Sequence, residues 1–365
     1  MDPRATLTPF PRGWYLVAKS DDVPIGKVKP VKMMDRELVV FRTEDGVAHV
    51  TNAHCPHFGV HLGHGGRVKG DCIRCPFHGW EFRASDGECQ RIPAGDLPPR
   101  KARLVRWDTH EIAGLILTWY HEEDAAPTWR VTDFPSLDDQ PYSEWADYEW
   151  TIRARIQDLS ENDSDVSHAP ALHGFVDDPA EVDLQVSGAE CKFRLRAKMH
   201  MSAFGVPSWL PWLPRDFSTD ILVRRSGLCL GWIRQETIMP GGFPFHTQTL
   251  AATTPIDATH VRLLLRHRVA RTRIPVLTTL MLRSYATMFN RTLEEDIVIW
   301  ENKIYRMRPA ASKSDAPILQ FRKWTRQFYP EGHYEAALAA QHPGSPVRLA
   351  DNLADNLADS AEAVG

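Results

Sequence analysis

The sequence predicts an α+β chain, in which a small all-β domain precedes a domain of antiparallel strands packed with helices. Residues 10–120 consist of short apolar runs broken by turn signals, a pattern typical of an all-β domain. Further along, alternating stretches at 191–201 and 260–270 predict strands, and residues 277–306 carry a long helical pattern. The order of these patterns is what predicts the fold class.

The boundary between the two domains is predicted in an acidic connection that contains prolines. Residues 121–145 hold three prolines and seven acidic residues with little periodicity, as interdomain connections do. We therefore expect one domain over 1–130, a second over 131–345, and an acidic low-complexity tail over 346–365. A chain of 365 residues is long enough for both domains to bury a core.

Composition limits the partners and the compartment that we expect. The formal charge is −4, from 43 basic and 47 acidic residues, and no block of five or more like charges occurs, so neither nucleic acid nor an acidic membrane surface is an expected partner. The chain shows no signal-peptide pattern and no apolar run of membrane-spanning length. Six unevenly spaced cysteines do not suit a disulfide framework. We expect a soluble cytoplasmic protein whose thiols are reduced, some of them on metal.

A first metal site is predicted where cysteines and histidines crowd together, in the stretch CPHFGVHLGHGGRVKGDCIRCPFHGW at 55–80. Two pairs can be read from it, Cys55-Pro-His57 and Cys75-Pro-Phe-His78, separated by 17 residues. Iron–sulfur and zinc sites both use these ligand types, so a zinc site remains an alternative. The chain has no second C-x-x-C to pair with the one that begins at Cys72, so a zinc ribbon is not favoured.

The other residues of this stretch are expected to be structural. Cys72 is interpreted as a buried thiol, because free cysteine commonly packs as a small apolar residue. His54, His61 and His64 are interpreted as loop histidines that are not ligands.

A second metal site is predicted in DLSENDSDVSHAPALHGF at 158–175. Asn162, Asp165 and His168 are spaced three residues apart and would share one face of a helix. On an ideal helix His173 would lie about 140° from His168. Because Pro170 lacks an amide donor, we expect a kink there that lets both imidazoles converge on one ion.

The third ligand of this site is predicted to be Asp296. Two histidines and one carboxylate form the facial triad of mononuclear iron(II) oxygenases. Of the consecutive acids Glu294, Glu295 and Asp296, only Asp296 lies within about 60° of an apolar stripe, whereas Glu295 lies about 160° away. That stripe consists of Leu293, Ile297, Trp300 and Ile304. The alternative is that Asp296 pairs with a basic neighbour.

Taken together, these motifs resemble the terminal oxygenase component of Rieske non-heme iron oxygenases. They occur in the expected order between about residues 10 and 330. More narrowly, FPRGWYLVA, GDCIRCPFHGW, DIVIWENKIY and FRKWTRQFY are similar to the branch of 3-ketosteroid 9α-hydroxylase oxygenases and cholesterol 7-desaturases. The same branch includes an aminopyrrolnitrin N-oxygenase, so the resemblance specifies the chemistry better than the substrate.

The resemblance implies both cofactors and their ligands. One [2Fe-2S] cluster would be held by Cys55 and Cys75 on one iron and by His57 and His78 on the other. One Fe(II) ion would be held by the three ligands of the second site, His168, His173 and Asp296. O2 would be the co-substrate. The electrons would come from NAD(P)H through a separate reductase or ferredoxin, since the chain has no dinucleotide-binding motif of its own.

The resemblance also implies a catalytic domain of the helix-grip type and a head-to-tail homotrimer. In such a trimer the cluster of one chain serves the iron of its neighbour. Asp165 would bridge His168 of its own chain and His78 of the adjacent subunit, with Asn162 beside it as a supporting group.

The implied function is hydroxylation of a hydrophobic, steroid-like substrate. Alternatives on the same metal sites are N-oxygenation of an arylamine and desaturation. A different alternative is a Rieske electron-transfer protein without oxygenase chemistry. The apolar segment 201–217, with Trp209, Trp212 and Phe217, is read equally well as a lid over the substrate or as ordinary packing, with a membrane-surface contact as a third reading.

Overall fold

The computed structural model describes residues 10–132, 140–165, 167–173, 181–200, 216–239 and 242–341. The chain divides into two compact units. One consists of Arg12–Asp133 together with Thr254–Thr259, and the other of the remaining residues. The predicted tail at 346–365, together with Trp209, Trp212 and the side chain of Phe217, lies outside the described residues.

The first unit is all-β over its described residues 12–132. Its strands are β1 (Gly13–Lys19), β2 (Val28–Met33), β3 (Arg36–Arg42), β4 (Ala48–Asn52), β5 (Arg67–Lys69), β6 (Cys72–Arg74), β7 (Glu81–Arg83), β8 (Cys89–Arg91), β9 (Arg106–Trp107), β10 (Thr109–Ile112) and β11 (Leu115–Tyr120). They form three antiparallel sheets with the orders β1-β11-β10, β2-β3-β4-β9 and β5-β6-β7-β8. A shared core, which includes Phe41, Leu62, Ile73 and Phe82, lies beneath the two loops that carry the Cys–His pairs.

The second unit is built on a long antiparallel sheet. Its strands are β12 (Ala146–Ile152), β13 (Glu181–Ser187), β14 (Glu190–His200), β15 (Asp216–Ser226), β16 (Leu230–Met239), β17 (Phe243–Pro255) and β18 (Val261–Val269). Among the described residues their order is β12-β18-β17-β16-β15-β14-β13, so the consecutive strands β12 and β13 form opposite edges. The connection that crosses from one edge to the other carries α1 (Ile156–Glu161) and α2 (His168–His173).

The long helix α3 (Pro275–Asn302) packs on this sheet against β12 and β18. Proline at its first position is favourable, since the first amide of a helix has no intrahelical acceptor. Its buried residues include Tyr285, Leu293, Asp296 and Trp300. Two further helices follow, α4 (Ala316–Thr325) and α5 (His333–Gln341).

The predicted fold class is confirmed, an all-β unit followed by an antiparallel sheet packed with helices. One detail of the helical pattern is wrong. The α3 helix ends at Asn302 because Lys303 has extended backbone, so Ile304 is exposed beyond the helix and is not part of its apolar stripe. No helix in the described part of the chain combines the length and the apolar character needed to cross a lipid bilayer.

Candidate metal centres

In the first unit, the two Cys–His pairs lie on loops that share one backbone hydrogen-bond pattern. The amide of Cys55 donates to the carbonyl of Val60 (2.9 Å), and the amide of Gly59 donates back to the carbonyl of Cys55 (2.9 Å). The second loop repeats this between Cys75 and Trp80 (2.8 Å) and between Gly79 and Cys75 (3.1 Å). Gly59 and Gly79 have φ of +73° and +70°, a conformation that side chains disfavour. The sequence C-P-x-x-G therefore specifies both turns.

The two loop cysteines are buried together and are not joined by a disulfide. Cys55 and Cys75 are each 3% exposed, and both are free thiols. Burial, with a further contribution from the adjacent Cys75, raises the pKa of Cys55 to about 12. A buried thiolate needs a compensating positive charge, which a metal ion supplies. The cysteine pair therefore fits a thiolate-bound metal.

The two loop histidines lie close to each other in space, and each follows one of the two cysteines in the chain. The ring centroids of His57 and His78 are 4.8 Å apart, and the His57 ring stacks on Trp80 at 4.1 Å. Nδ1 of His57 is buried and has no hydrogen-bond partner within the described structure. An unsatisfied buried polar atom costs about 1–3 kcal/mol, which coordination to a metal would remove. The donor set of two thiols and two imidazoles fits the predicted [2Fe-2S] cluster.

The residues that were interpreted as structural have partners within the chain. Nδ1 of His61 accepts a hydrogen bond from the Gly63 amide (3.0 Å). Cys72 is buried, and its thiol lies 3.3 Å from a carboxylate oxygen of Asp71.

In the second unit, the expected helix through Asn162, Asp165 and His168 with a kink at Pro170 is wrong. α1 is followed by a short 3-10 turn at Asn162–Ser164. The backbone of Asp165 is not helical (φ −89°, ψ 82°), and α2 begins at His168. Pro170 thus lies in the first turn of α2. Because the first amides of a helix have no intrahelical acceptors, proline is tolerated there without a kink.

The structure nevertheless brings His168, His173 and Asp296 together. One donor atom from each lies within 4.8 Å of the others. Oδ1 of Asp296 lies 3.6 Å from Nε2 of His168 and 3.1 Å from Nε2 of His173. Helix α2 packs against α3, and this contact brings the histidines to the carboxylate. Two imidazole nitrogens and one carboxylate oxygen fit a mononuclear Fe(II) centre.

Asn162 and Asp165 both lie at this centre. Nδ2 of Asn162 donates to Oδ2 of Asp296 (3.2 Å) and lies 3.5 Å from Nε2 of His168. Nδ1 of His168 donates to the backbone carbonyl of Asp165, whose carboxylate oxygen is 3.8 Å from the same nitrogen. Because Nδ1 carries the proton, the lone pair of His168 is on Nε2, the atom that faces Asp296. Contact with the His168 side chain lowers the pKa of the Asp165 carboxyl, which is therefore ionised at neutral pH.

Sequence reasoning missed Glu295, which also contacts this centre. Its Oε2 lies 3.0 Å from Nδ1 of His173. Burial lowers the pKa of His173, but hydrogen bonds to Asp296 and Glu295 raise it, and the net direction is upward. The two carboxylates beside His173 give the centre an excess of negative charge, which favours the binding of a divalent cation. The helical phase placed Glu295 on the side opposite the apolar stripe. The one signal in the sequence for a role of Glu295 was its position next to Asp296.

A buried ion cluster beneath α1 was also missed. Glu161 is 1% exposed and pairs with Arg322 of α4 (2.8 Å) and with Lys303 just after α3 (3.3 Å). Lys303 also pairs with Asp158 (3.1 Å). These contacts hold α1 against α4 and the end of α3. Glu161 directly precedes Asn162, so they also bear on where Asn162 lies.

Comparisons with known proteins agree with this arrangement of fold and sites. The Rieske [2Fe-2S] domain family matches residues 13–100, and the 3-ketosteroid 9α-hydroxylase C-terminal domain family matches residues 118–329. A cholesterol 7-desaturase of Xenopus laevis is 30% identical over 348 residues, which cover 88% of this chain and 72% of the relative.

Two further comparisons extend to bacterial proteins and to solved structures. The oxygenase component of a Rhodococcus rhodochrous 3-ketosteroid-9-alpha-monooxygenase is 26% identical, covering 90% of this chain and 86% of the relative. The crystal structure of dicamba monooxygenase bound to dicamba superposes with a TM-score of 0.68 at 18% identity, covering 87% of this chain and 96% of that one, and so shares the fold.

The fold and the two centres define an oxidoreductase that combines an iron–sulfur cluster with a mononuclear iron. The chain belongs to the Rieske non-heme iron oxygenases, as a terminal oxygenase component. It is an O2-dependent enzyme that carries a [2Fe-2S] cluster and Fe(II), and it receives the electrons of NAD(P)H through a separate reductase. The predicted family, enzyme class and cofactors are thereby confirmed.

Proposed function

We propose that the protein hydroxylates a steroid-like hydrophobic substrate. The observation that carries this proposal is the match of residues 118–329 to the 3-ketosteroid 9α-hydroxylase C-terminal domain. It is supported by the names of two relatives, a ketosteroid monooxygenase and a cholesterol 7-desaturase. Desaturation of a similar substrate is the second candidate, because relatives at 30% and 31% identity are cholesterol 7-desaturases.

The side chains of α3 before the metal centre support an apolar substrate. Met281, Leu282, Met288 and Phe289 are partly buried and pack against a buried cluster of Phe245, Val269 and Tyr285. Flexible thioethers adapt to irregular apolar shapes, as a fused-ring ligand would require. The four partly buried residues precede Asp296 on the same helix.

We propose the following roles for the residues at the two centres. Cys55, Cys75, His57 and His78 hold the cluster, and His168, His173 and Asp296 hold the mononuclear iron. When bound, the cluster supplies single electrons and the iron supplies the activation of O2. Asn162 donates to Oδ2 of Asp296 and so fixes the orientation of that carboxylate toward the two histidines.

We further propose a head-to-tail homotrimer in which Asp165 bridges His168 to His78 of the partner subunit. Two features support it. His78 is exposed, and Phe58 and Phe77 beside the loop histidines are 72% and 64% exposed, so this tip has an apolar rim suited to a protein contact. The reductase is proposed to dock at the same tip. A cytoplasmic location is proposed because all six cysteines are free.

The proposed function is tested by product analysis under 18O2 with a surrogate reductase. The substrates are a panel of 3-ketosteroids, sterols and arylamines, analysed by mass spectrometry. Hydroxylation predicts a steroid product that contains one 18O atom, whereas desaturation predicts an unlabelled product that has lost two hydrogens. Labelled product from the arylamines alone would refute the steroid proposal.

A further inference from the structure

The imidazole of His173 lies between two consecutive carboxylates of α3. Its Nε2 is 3.1 Å from Oδ1 of Asp296, and its Nδ1 is 3.0 Å from Oε2 of Glu295. We propose that Glu295 is a positioning residue, which accepts the Nδ1–H of His173 and thereby directs the Nε2 lone pair at the mononuclear iron. This inference rests on the proposed ligand set. It adds a residue that orients one of the three ligands and does not itself bind the metal.

The tautomer of His173 follows from which of its two nitrogens faces the proposed metal. A neutral imidazole donates from one nitrogen and accepts at the other. The His173 side chain is 6% exposed, so water does not readily replace either partner. Both ring nitrogens face carboxylate oxygens, so these acceptors alone do not select the tautomer. A nitrogen that binds a metal must offer its lone pair, and Nε2 is the nitrogen on the side of Asp296 and the proposed iron. The ring proton is then on Nδ1, where Glu295 accepts it. The opposite tautomer would direct an N–H at the centre.

Two neighbouring helix positions can reach one ring because their side chains differ in length. Consecutive residues on a helix diverge by about 100°. The Asp296 side chain points into the unit and is 10% exposed, whereas the Glu295 side chain is 34% exposed. With one more methylene, Glu295 extends around the edge of the ring to Nδ1. Its other oxygen lies 3.6 Å from Nε of Arg291, whose side chain is 80% exposed, so this ion pair contributes little.

The two histidines are therefore held by different acceptors. Nδ1 of His168 donates to a backbone carbonyl, which is neutral. Nδ1 of His173 donates to a carboxylate, which forms a shorter and stronger bond with an N–H and makes the imidazole a better electron donor to the metal. Loss of Glu295 should thus weaken the metal centre without removing any ligand.

The test compares metal affinity among single variants of the full-length protein with its cluster intact. Glu295→Ala removes the acceptor, Glu295→Gln keeps an amide oxygen, and Glu294→Ala is the matched control at an exposed position. We expect Glu295→Ala to weaken Fe(II) binding by about 10- to 100-fold, as loss of such an orienting partner does. Glu295→Gln should bind more tightly than Glu295→Ala, and Glu294→Ala should match the wild type.

Further readouts separate the failure of this inference from that of the ligand set. The electron paramagnetic resonance signal of the reduced cluster should stay unchanged in all three variants, which reports an intact first unit. His173→Ala should lose the mononuclear iron. Iron loss in His173→Ala with unchanged affinity in Glu295→Ala would overturn the role of Glu295 alone. Iron retained in both variants would overturn the ligand set as well.

Discussion

At the scale of single residues, each side chain proposed to hold the mononuclear iron has its other polar atom engaged elsewhere. Oδ2 of Asp296 accepts from Asn162, Nδ1 of His168 donates to the Asp165 carbonyl, and Nδ1 of His173 faces Glu295. Such bonds orient these side chains before a metal binds. The geometry of the centre is therefore held by the chain itself.

Asp165 offers a prediction at this scale. Its carboxylate is partly exposed and is not among the three proposed ligands, so Asp165→Asn should leave both metal centres in place. Loss of the proposed bridge to the partner subunit should nearly abolish turnover. Iron and sulfide analysis, cluster spectroscopy and steady-state turnover measure the three quantities. Normal turnover in this variant would remove the bridge from the mechanism.

The metal ligands give a second prediction. A chain with both centres loaded should contain about three irons and two sulfides. His168→Ala or His173→Ala should lower the iron content by about one while the sulfide content stays the same, because the cluster ligands are not affected. Two irons in the wild type, with no change in either variant, would support the electron-transfer alternative.

His267 gives a prediction for the pH dependence of stability. Its fully buried ring donates from Nε2 to Asn290 (3.0 Å) and accepts at Nδ1 from Thr249 (2.8 Å). Burial lowers its pKa from 6.5 to about 4, against an opposing effect of the Asn290 hydrogen bond. The folded protein thus holds His267 neutral where the unfolded chain binds a proton.

Stability should therefore fall as the pH drops from 6.5 toward 4, by about 3 kcal/mol in total. Above pH 6.5 this contribution is fully present. The free energy of unfolding in urea, measured at pH 7 and pH 4.5, should differ less in His267→Gln than in the wild type. An equal pH dependence in both proteins would contradict the assignment.

At the scale of elements, the mononuclear metal centre depends on the contacts that hold two short helices, α1 and α2, in place. α2 has six residues and α1 has six, lengths at which a helix is not stable alone in water. α1 is held by the buried Glu161, which pairs with Arg322 and Lys303. Residues that lie outside the metal centre thus determine where Asn162 stands.

Removal of Glu161 should be costly for this reason. Glu161→Ala removes the carboxylate partner of Arg322, whose side chain is 12% exposed, while Lys303 keeps Asp158. Breaking a buried ion pair from one side costs about 3–5 kcal/mol. We expect that loss of stability in denaturant unfolding, together with lower iron occupancy. Glu149→Ala is the control, since its 3.9 Å pair with Arg262 is exposed and should contribute about 0–1 kcal/mol. Equal effects of the two substitutions would refute an anchoring role for the cluster.

At the scale of the whole molecule, the proposed head-to-tail trimer predicts complementation between inactive variants. Cys75→Ser should lack the cluster and His168→Ala should lack the mononuclear iron. If electrons pass between subunits, mixed trimers should recover about one third of wild-type activity per chain. Whichever variant is present twice, a head-to-tail ring of three holds one iron-bearing chain that receives electrons from a neighbour with an intact cluster. The activity of purified mixed trimers, isolated through two tags, measures this. No recovery in verified mixed trimers would argue for transfer within one chain.

Much of the fold was predictable because its signals are local. Strand alternation at 191–201 and 260–270 and the helical pattern at 277–306 correspond to β14, β18 and α3. The failures concern boundaries, where α3 ends at Asn302 and where α2 begins at His168. Helix ends depend on capping and packing, which the apolar period does not encode.

The sequence by itself determined the family and the turns of the cluster loops and predicted the two donor sets, because ligand types, spacings and C-P-x-x-G turns are properties of short segments. Only the tertiary structure decided that α2 meets α3, that His173 lies between Glu295 and Asp296, and that Glu161 anchors α1. These contacts join residues more than 100 positions apart. The reach of a side chain across packed helices follows from their packing, which no spacing in the sequence specifies.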